Sequence, residues 1–276
     1  MLSRTYLPPR DVYRQPAIIA DYLMADYLEA SEKRIINLLG SAVAQMRMLD
    51  IAIGAGRTTR HFAPLVREYV GLDYSEPMID ICKRDLAESI RNAEFFVADM
   101  RDLSCFRRQS FDFVLISYNA IGAMSHEDRQ LVYREVNRVC KPGGYFFFSA
   151  HNLQSVDELF GLKSLLNKLS PLHPKQSYWR LREWFLRRLI YNSPTLYPRL
   201  KRYPYCIFND GAHGGLFQHY YITPAEQIRQ LEPFFEGIRI FGRDGHELAA
   251  GESMVNLTSA WLFYLCNSRA LNVSAA

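Results

Sequence analysis

The stretch 48–59, MLDIAIGAGRTT, limits what this chain can fold into more than any other. Its first half is an apolar run of the length of a buried strand, and its second half is a tight glycine turn. Residues 57–68 then carry the mixed pattern of a helix start. Strand, glycine turn and helix in that order make a nucleotide-binding crossover, in which backbone N–H groups at the helix N-terminus meet the ligand. Gly54 and Gly56 let the backbone turn sharply and lie against a ligand with no Cβ in between. A Gly-x-Gly pair is common in loops, so the weight falls on what surrounds it.

Upstream, Pro8-Pro9 predicts a non-helical arm over residues 1–12. Residues 15–39 read as two helices, the second capped by Ser31, with Glu32 in its first turn and Gly40 at its end. Downstream, apolar runs predict strands at 69–72, 94–97, 111–116 and 145–149. Helices are expected between them at 61–68, 76–90 and 126–139, the last halted by Lys141-Pro142-Gly143-Gly144. Strands alternating with helices imply a parallel, doubly wound sheet, and such sheets bind ligands at the carboxyl ends of their strands. Asp50, Asp73, Asp99 and Ser117-Tyr118-Asn119 all fall in or just after those ends. A helix starting at Thr223-Pro224-Ala225-Glu226, with Pro at its first position, and strands at 237–241 and 255–265 follow.

Residues 151–222 break this rhythm. Between His151 and Tyr205 stand ten Lys or Arg against three acids, so this segment is +7 while the remainder of a chain of net charge +4 is −3. Five prolines cut it into short pieces, and residues 176–191 form a basic amphipathic helix rich in Trp179, Trp184 and Phe185. Its aromatics are expected to be the core of a lid, with arginines snorkelling over them. A membrane-surface or dimer-forming helix and a grip on an anionic acceptor are the alternatives. The organisation is therefore an N-terminal helical segment (1–44), a core (45–150 and 223–276) and a basic, aromatic-rich insertion (151–222). Scattered cysteines, no apolar leader and no run long enough to span a bilayer lead to the expectation of a cytoplasmic protein, monomeric or homodimeric.

These motifs resemble those of class I S-adenosylmethionine-dependent methyltransferases of the small-molecule type. The acidic residue followed by Gly-x-Gly-x-Gly stands here as Asp50-Ile51-Ala52-Ile53-Gly54-Ala55-Gly56, with Ala52 in place of the first glycine. The resemblance implies a Rossmann-like, mostly parallel seven-stranded sheet with an α-helical insertion. It also implies S-adenosyl-L-methionine as cofactor and S-adenosyl-L-homocysteine as product. By that resemblance Asp50 helps place the methionine amino group, Ala52, Gly54 and Gly56 form the cofactor turn, and Asp73 takes the ribose hydroxyls. Tyr74 and Met78 pack near the adenine, Asp99 accepts from its amino group beside Met100, and Ser117 and Tyr118 flank the methionine portion. A dinucleotide oxidoreductase would need a small residue three positions after Gly56, where Thr59 stands.

Methyl transfer to a hydroxyl or amine needs positioning and a base, usually histidine. His151, just past the fifth predicted strand, and His213 are the candidate bases; Asn119, Asp210, His219 and Tyr220 are candidate acceptor contacts. Asp210 either orients a histidine or makes an Asx-turn before Gly211. No metal-ligand spacing stands out, so no metal is expected. The fourth predicted strand is not followed by an Asn/Asp-Pro-Pro-aromatic tetrapeptide, which in the family goes with methylation of planar amino groups. That leads away from nucleic acid and toward transfer to O or N of a small molecule. A catalytically silent cofactor-binding partner subunit and an RNA methyltransferase gripping through the insertion remain as alternatives.

Overall fold

The computed structural model describes residues 8–248 and 259–270. Three helices lead in: α1 (Pro9–Val12), α2 (Pro16–Leu23) and α3 (Ala30–Leu39). The strand–helix alternation follows as β1 (Arg47–Ile51), α4 (Thr59–Phe62), β2 (Glu68–Asp73), α5 (Glu76–Leu86), β3 (Ala93–Val97), β4 (Phe111–Ile116), α6 (His126–Val139) and β5 (Cys140–Asn152). The insertion contributes α7 (Asp157–Phe160), α8 (Leu162–Lys168), α9 (Pro174–Phe185), α10 (Tyr197–Leu200), β6 (Tyr205–Phe208) and β7 (His219–Ile222). The chain closes with α11 (Pro224–Leu231), β8 (Phe235–Gly242) and β9 (Trp261–Ser268).

Strands β3, β2, β1, β4 and β5 pair in parallel in that spatial order, and the antiparallel β9 and β8 extend the sheet beyond β5. These are the seven strands of the expected mostly parallel α/β sheet, and β7 and β6 add to it at the other edge of β5 to make nine among the described residues. Period-2 alternation divides its side chains between two cores. Leu49, Ile51, Val114, Ile116, Phe146 and Phe148 face the side covered by α6 and α11, while Met48, Phe113, Leu115 and Phe147 face the side covered by α3 to α5. Strand residues buried on both faces give the continuous apolar runs visible in the sequence.

Several details differ from the sequence reading. Pro9 opens a single helical turn, because a proline at the first helical position gives up an N–H that would be unbonded anyway. Helix α3 is capped by Glu29 and Glu32 in a reciprocal box, and Ser31 instead donates to the Gly242 carbonyl. The helix after the glycine turn is one turn long, followed by a 3-10 turn at Ala63–Leu65 where Pro64 interrupts it. Lys141 to Gly144 lie within β5, so His151 is inside the strand rather than past it. Of the final predicted strand, residues 255–258 lie outside the described residues.

The insertion is not all helical. Strands β6 and β7 form an antiparallel hairpin, and β7 pairs in parallel with His151 and Asn152 of β5. Since β9 already occupies one edge of β5 as far as His151, β7 takes the other edge, beyond the end of β4. The hairpin therefore sits over the carboxyl edge of the sheet. Nor is α9 a core helix: it has no buried residue, and Trp179 and Phe185 are exposed. Periodicity identifies an apolar face, and packing decides where that face points.

Ala52 holds φ +60°, a conformation costing an L-residue roughly 1–2 kcal/mol. Ala52→Gly should thus raise stability by up to about 1 kcal/mol after glycine's own entropy cost. A Cβ on Gly56, at φ +84°, would come within 2.5 Å of Leu86 Cδ1. Gly56→Ala should lower stability by about 2 kcal/mol or more. Urea unfolding of the two variants measures both signs.

Candidate active site

The glycine turn and the end of β2 are fastened together. Gly54 donates its N–H to Asp73 Oδ2 at 3.0 Å, and Ser75 donates its N–H to Asp73 Oδ1 at 2.8 Å. Burial pushes the Asp73 carboxyl up from its ordinary range, against backbone N–H donors that favour its charged form. Beside it lies a cavity of about 360 Å³, within the roughly 300–1,000 Å³ of small-molecule sites. Ala52, Gly54, Asp73, Tyr74, Met78, Asp99, Met100, Ser117 and Tyr118 all line it. Gly56 and Asp50 do not.

Asp50 lies behind the turn, buried, where the Tyr69 hydroxyl donates to it at 2.6 Å. Burial pushes its carboxyl up to about 7, opposed by hydrogen bonds from Thr58 and Tyr69. Asp99 is held by Arg101 at 2.7 Å, a guanidinium that also reaches Asp128 at 3.3 Å. That hydrogen-bonded guanidinium keeps the Asp99 carboxyl below its usual range. Ser117 is bonded on its hydroxyl by Glu32 and by Arg57, the latter at 2.9 Å. Arg57 itself makes a two-pronged pair with Glu32 at 2.6 and 2.7 Å and lies over the Tyr118 ring.

Two walls were not legible in the sequence. Pro9, Arg10 and Tyr13 of the first turn, with Tyr22 of α2, roof the cavity, and a Cβ on Gly54 would meet Tyr22 at 3.2 Å. The tyrosines in an otherwise short amphipathic segment were the available signal, but nothing local says what they cover. Tyr13 then packs edge-on against His213 and Phe217, with ring centroids 5.4 and 5.8 Å away.

Behind Tyr13 the insertion assembles the histidines. His219 Nδ1 lies 3.0 Å from Asp210 Oδ1, which also accepts the Ala212 N–H at 2.9 Å. Asp210 thus closes an Asx-turn and bonds a histidine through the same oxygen. Asp210 Oδ2 accepts from the Tyr221 hydroxyl at 2.9 Å. Hydrogen bonds from His219 and the Ala212 N–H hold the buried Asp210 carboxyl well below its ordinary range, against desolvation. A carboxylate only accepts, so His219 Nδ1 carries the hydrogen of that bond, and a neutral ring then has its lone pair on Nε2. His151 stacks on Tyr221 at 4.6 Å, its Nδ1 without a partner, and burial and the neighbouring His219 push it down to about 3.

His151, Asp210 and His219 bring one donor atom each within 4.8 Å of one another, a metal-capable set that the sequence reading did not expect. With both Asp210 oxygens already accepting hydrogens, the set as it stands fits an oriented imidazole better than a coordination sphere. His213, at φ +49°, stacks on Phe217, and burial lowers its pKa. Asn119 is buried with neither amide atom partnered. Tyr220 is a correction: alternation along β7 turns it away from His219 and Tyr221, and its hydroxyl lies 2.9 Å from His126 in the opposite core.

Residues 48–144 match the family model described as "Methyltransferase domain". An uncharacterized methyltransferase, YcgJ, of Bacillus subtilis is 32% identical over 143 residues, covering 51% of this chain and 54% of that protein. A demethylmenaquinone methyltransferase of Staphylococcus aureus is 33% identical over 115 residues, 41% of this chain and 45% of that protein. The chain thus spans about half the length of the curated relatives it matches. A solved S-adenosylmethionine-dependent methyltransferase from Clostridium acetobutylicum shares the fold at TM-score 0.60 and 13% identity, over 92% of this chain and 97% of that one.

Asp50 gives a pH signature. Its carboxyl is raised from 3.8 to about 7 on folding, so between those values the native state holds a proton that the unfolded chain has lost. Stability attributable to Asp50 is therefore fully present below the unfolded value and declines as pH rises to about 7. Asp50→Asn, which still accepts from Tyr69, should flatten that part of the profile and be relatively more stable at pH 8. Urea unfolding across pH 4 to 8 checks the sign.

Proposed function

We propose that this chain, whose residues 48–144 match a methyltransferase domain, is a class I S-adenosylmethionine-dependent methyltransferase that methylates a small molecule as His219 takes its proton. The observation that supports the reading is the Asp210–His219 pair, which reaches the cavity-lining Tyr13 through the rings of His213 and Phe217. Bound cofactor supplies an electrophilic methyl group on a sulfonium, and the protein's work is to hold, orient and deprotonate.

The cavity suits that cofactor. Asp73 uses one lone pair of each oxygen on backbone N–H groups, and a carboxylate has about four such sites, so two acceptors remain for the vicinal ribose hydroxyls. Tyr74, Met78 and Met100 would give the adenine largely apolar walls, with Asp99 at its edge. Ser117 and Tyr118 would bound the methionine end. Asp50, bonded to Tyr69 behind the turn, acts on the turn rather than lining the cavity.

Asp210 fixes the His219 tautomer, keeps Nε2 available as acceptor and stabilises the imidazolium formed when it takes a proton. His151 is held neutral and lies against Gly122, where a Cβ would come within 2.9 Å of its ring, so we assign it to shaping the acceptor side. Asn119, with an unpaired buried amide, is assigned to the acceptor side as well. The demethylmenaquinone methyltransferases among the relatives are named for a small-molecule acceptor, which supports that class here.

Calorimetric titration with S-adenosylmethionine should show binding by the wild type that Asp73→Ala weakens at least roughly tenfold. His219→Gln should keep cofactor affinity while lowering turnover by roughly 10²–10⁴, scored as S-adenosylhomocysteine formed over a panel of hydroxyl, amine and acidic-carbon acceptors. Undiminished turnover by His219→Gln removes the base assignment. No binding by folded wild type removes the whole reading.

A further inference from the structure

Helix α9 is mounted with its faces reversed. Its twelve α-helical residues run on into six in π-helical turns, Leu186–Tyr191, and neither piece has a buried residue. The side toward the protein is fixed by polar bonds: Trp184 Nε1 and Arg188 donate to the Phe160 carbonyl at 3.0 and 2.9 Å, and Arg187 lies against Gly211. The apolar stripe at Tyr178, Leu181, Phe185 and Leu189, spaced three, four and four residues apart, points away, joined by Trp179 and Ile190. These six are 42–61% exposed. Leu162 and Leu166 of α8 and Leu172 between the helices add to the same exposed set.

Scattered exposed hydrophobic residues need no explanation, but a continuous apolar face on a helix that turns arginines inward does. Burial against this chain's own core, the ordinary fate of such a stripe, has not happened among the described residues. The charge beside it selects the occupant. Residues 159–205 hold ten Lys or Arg and one acid, and Lys163, Lys175 and Arg182 stand exposed around the stripe. Apolar and aromatic side chains ringed by cations match an anionic lipid surface, which accepts the apolar groups at the headgroup–acyl boundary and the cations at the phosphates. A second copy of the same positive face would be repelled, and nucleic acid would leave the leucine stripe in water. No helix among the described residues is long and apolar enough to cross a membrane, so contact would be along the surface.

We infer that the outer face of α8 and α9 is a membrane-docking face that takes an anionic lipid bilayer surface. It follows that the insertion has two tasks, with Asp210 and His219 on its inner side and the lipid contact on its outer side.

Sedimentation with vesicles of phosphatidylcholine, with and without phosphatidylserine, tests this on the full chain. The protein should pellet with the anionic vesicles and much less with the neutral ones. Raising salt from about 0.1 to about 0.5 M should weaken binding several-fold. The Leu181→Ser/Phe185→Ser double variant should lose roughly tenfold or more in partitioning. Its unchanged urea-unfolding midpoint shows that it is folded, and keeps this test separate from that of the methyltransferase reading. Absence of pelleting, equal binding to neutral vesicles, or full binding by the double variant overturns the proposal. So does a dimer by light scattering that the double variant abolishes, or salt-sensitive RNA binding without vesicle binding.

Discussion

A two-pronged ion pair between Arg57 and Glu32, whose side chains are 8% and 0% exposed, ties the walls of the cavity to one another. Glu32 comes from the first turn of α3, Arg57 from the glycine turn, and Ser117, which both of them bind, from the end of β4. Arg57 also donates to the Tyr27 carbonyl at 2.8 Å, anchoring the link between α2 and α3. Charges removed from water are tolerable only when their partners are well placed, so the pair demands that all three segments arrive together. The roof formed by Tyr13 and Tyr22 depends on that anchoring, and with it the enclosure of the cavity.

The same economy of partners runs through the rest of the site. Asp73 spends hydrogen bonds on the backbone of two successive turns, which converts two flexible loops into one rigid edge. Fully buried Arg129 on α6 donates to the Ile121 carbonyl and to Gln227 of α11, holding the short 3-10 turn at Ala120–Ala123 that forms another cavity wall. On the insertion, Asp210 gathers the Ala212 N–H, His219 and the Tyr221 hydroxyl around one carboxylate. Buried polar groups that are partnered specify one arrangement, and among those without a partner at an atom are Asn119, His151 Nδ1, Tyr74 Oη and Arg129 Nε.

Topology explains why the insertion matters to chemistry. A strand has two edges, and along most of β5 both are taken by β4 and β9. Only where β4 stops does an edge open, and β7 fills it with His219 and Tyr221 pointing to one side. The result brings side chains from the middle of the chain over the carboxyl edge, where the glycine turn already lies. Helix α9, reached from the same insertion, is fastened by carbonyl bonds from its polar side, which leaves its apolar stripe facing outward.

The sequence by itself determined the central sheet, the order of its first five strands and the clustering of Asp50, Asp73, Asp99 and Ser117 near its carboxyl edge. Those features are carried by runs, turns and caps a few residues long, whose conformational preferences are local. Helix α11 is legible for the same reason, since Thr223 caps it and Pro224 starts it. Tertiary structure decided that Tyr13 and Tyr22 roof the cavity, that Asp50 sits behind the turn, that Asp210 meets His219 and that Tyr220 turns away. It also decided that the stripe on α9 faces out, because a helical period marks an apolar side without saying what it meets. These outcomes depend on which strand edge is free and on contacts such as Arg57 with Ser117 or Tyr13 with His213, between segments far apart in the chain. No local preference encodes them; they follow from how the sheet closes around its own edges.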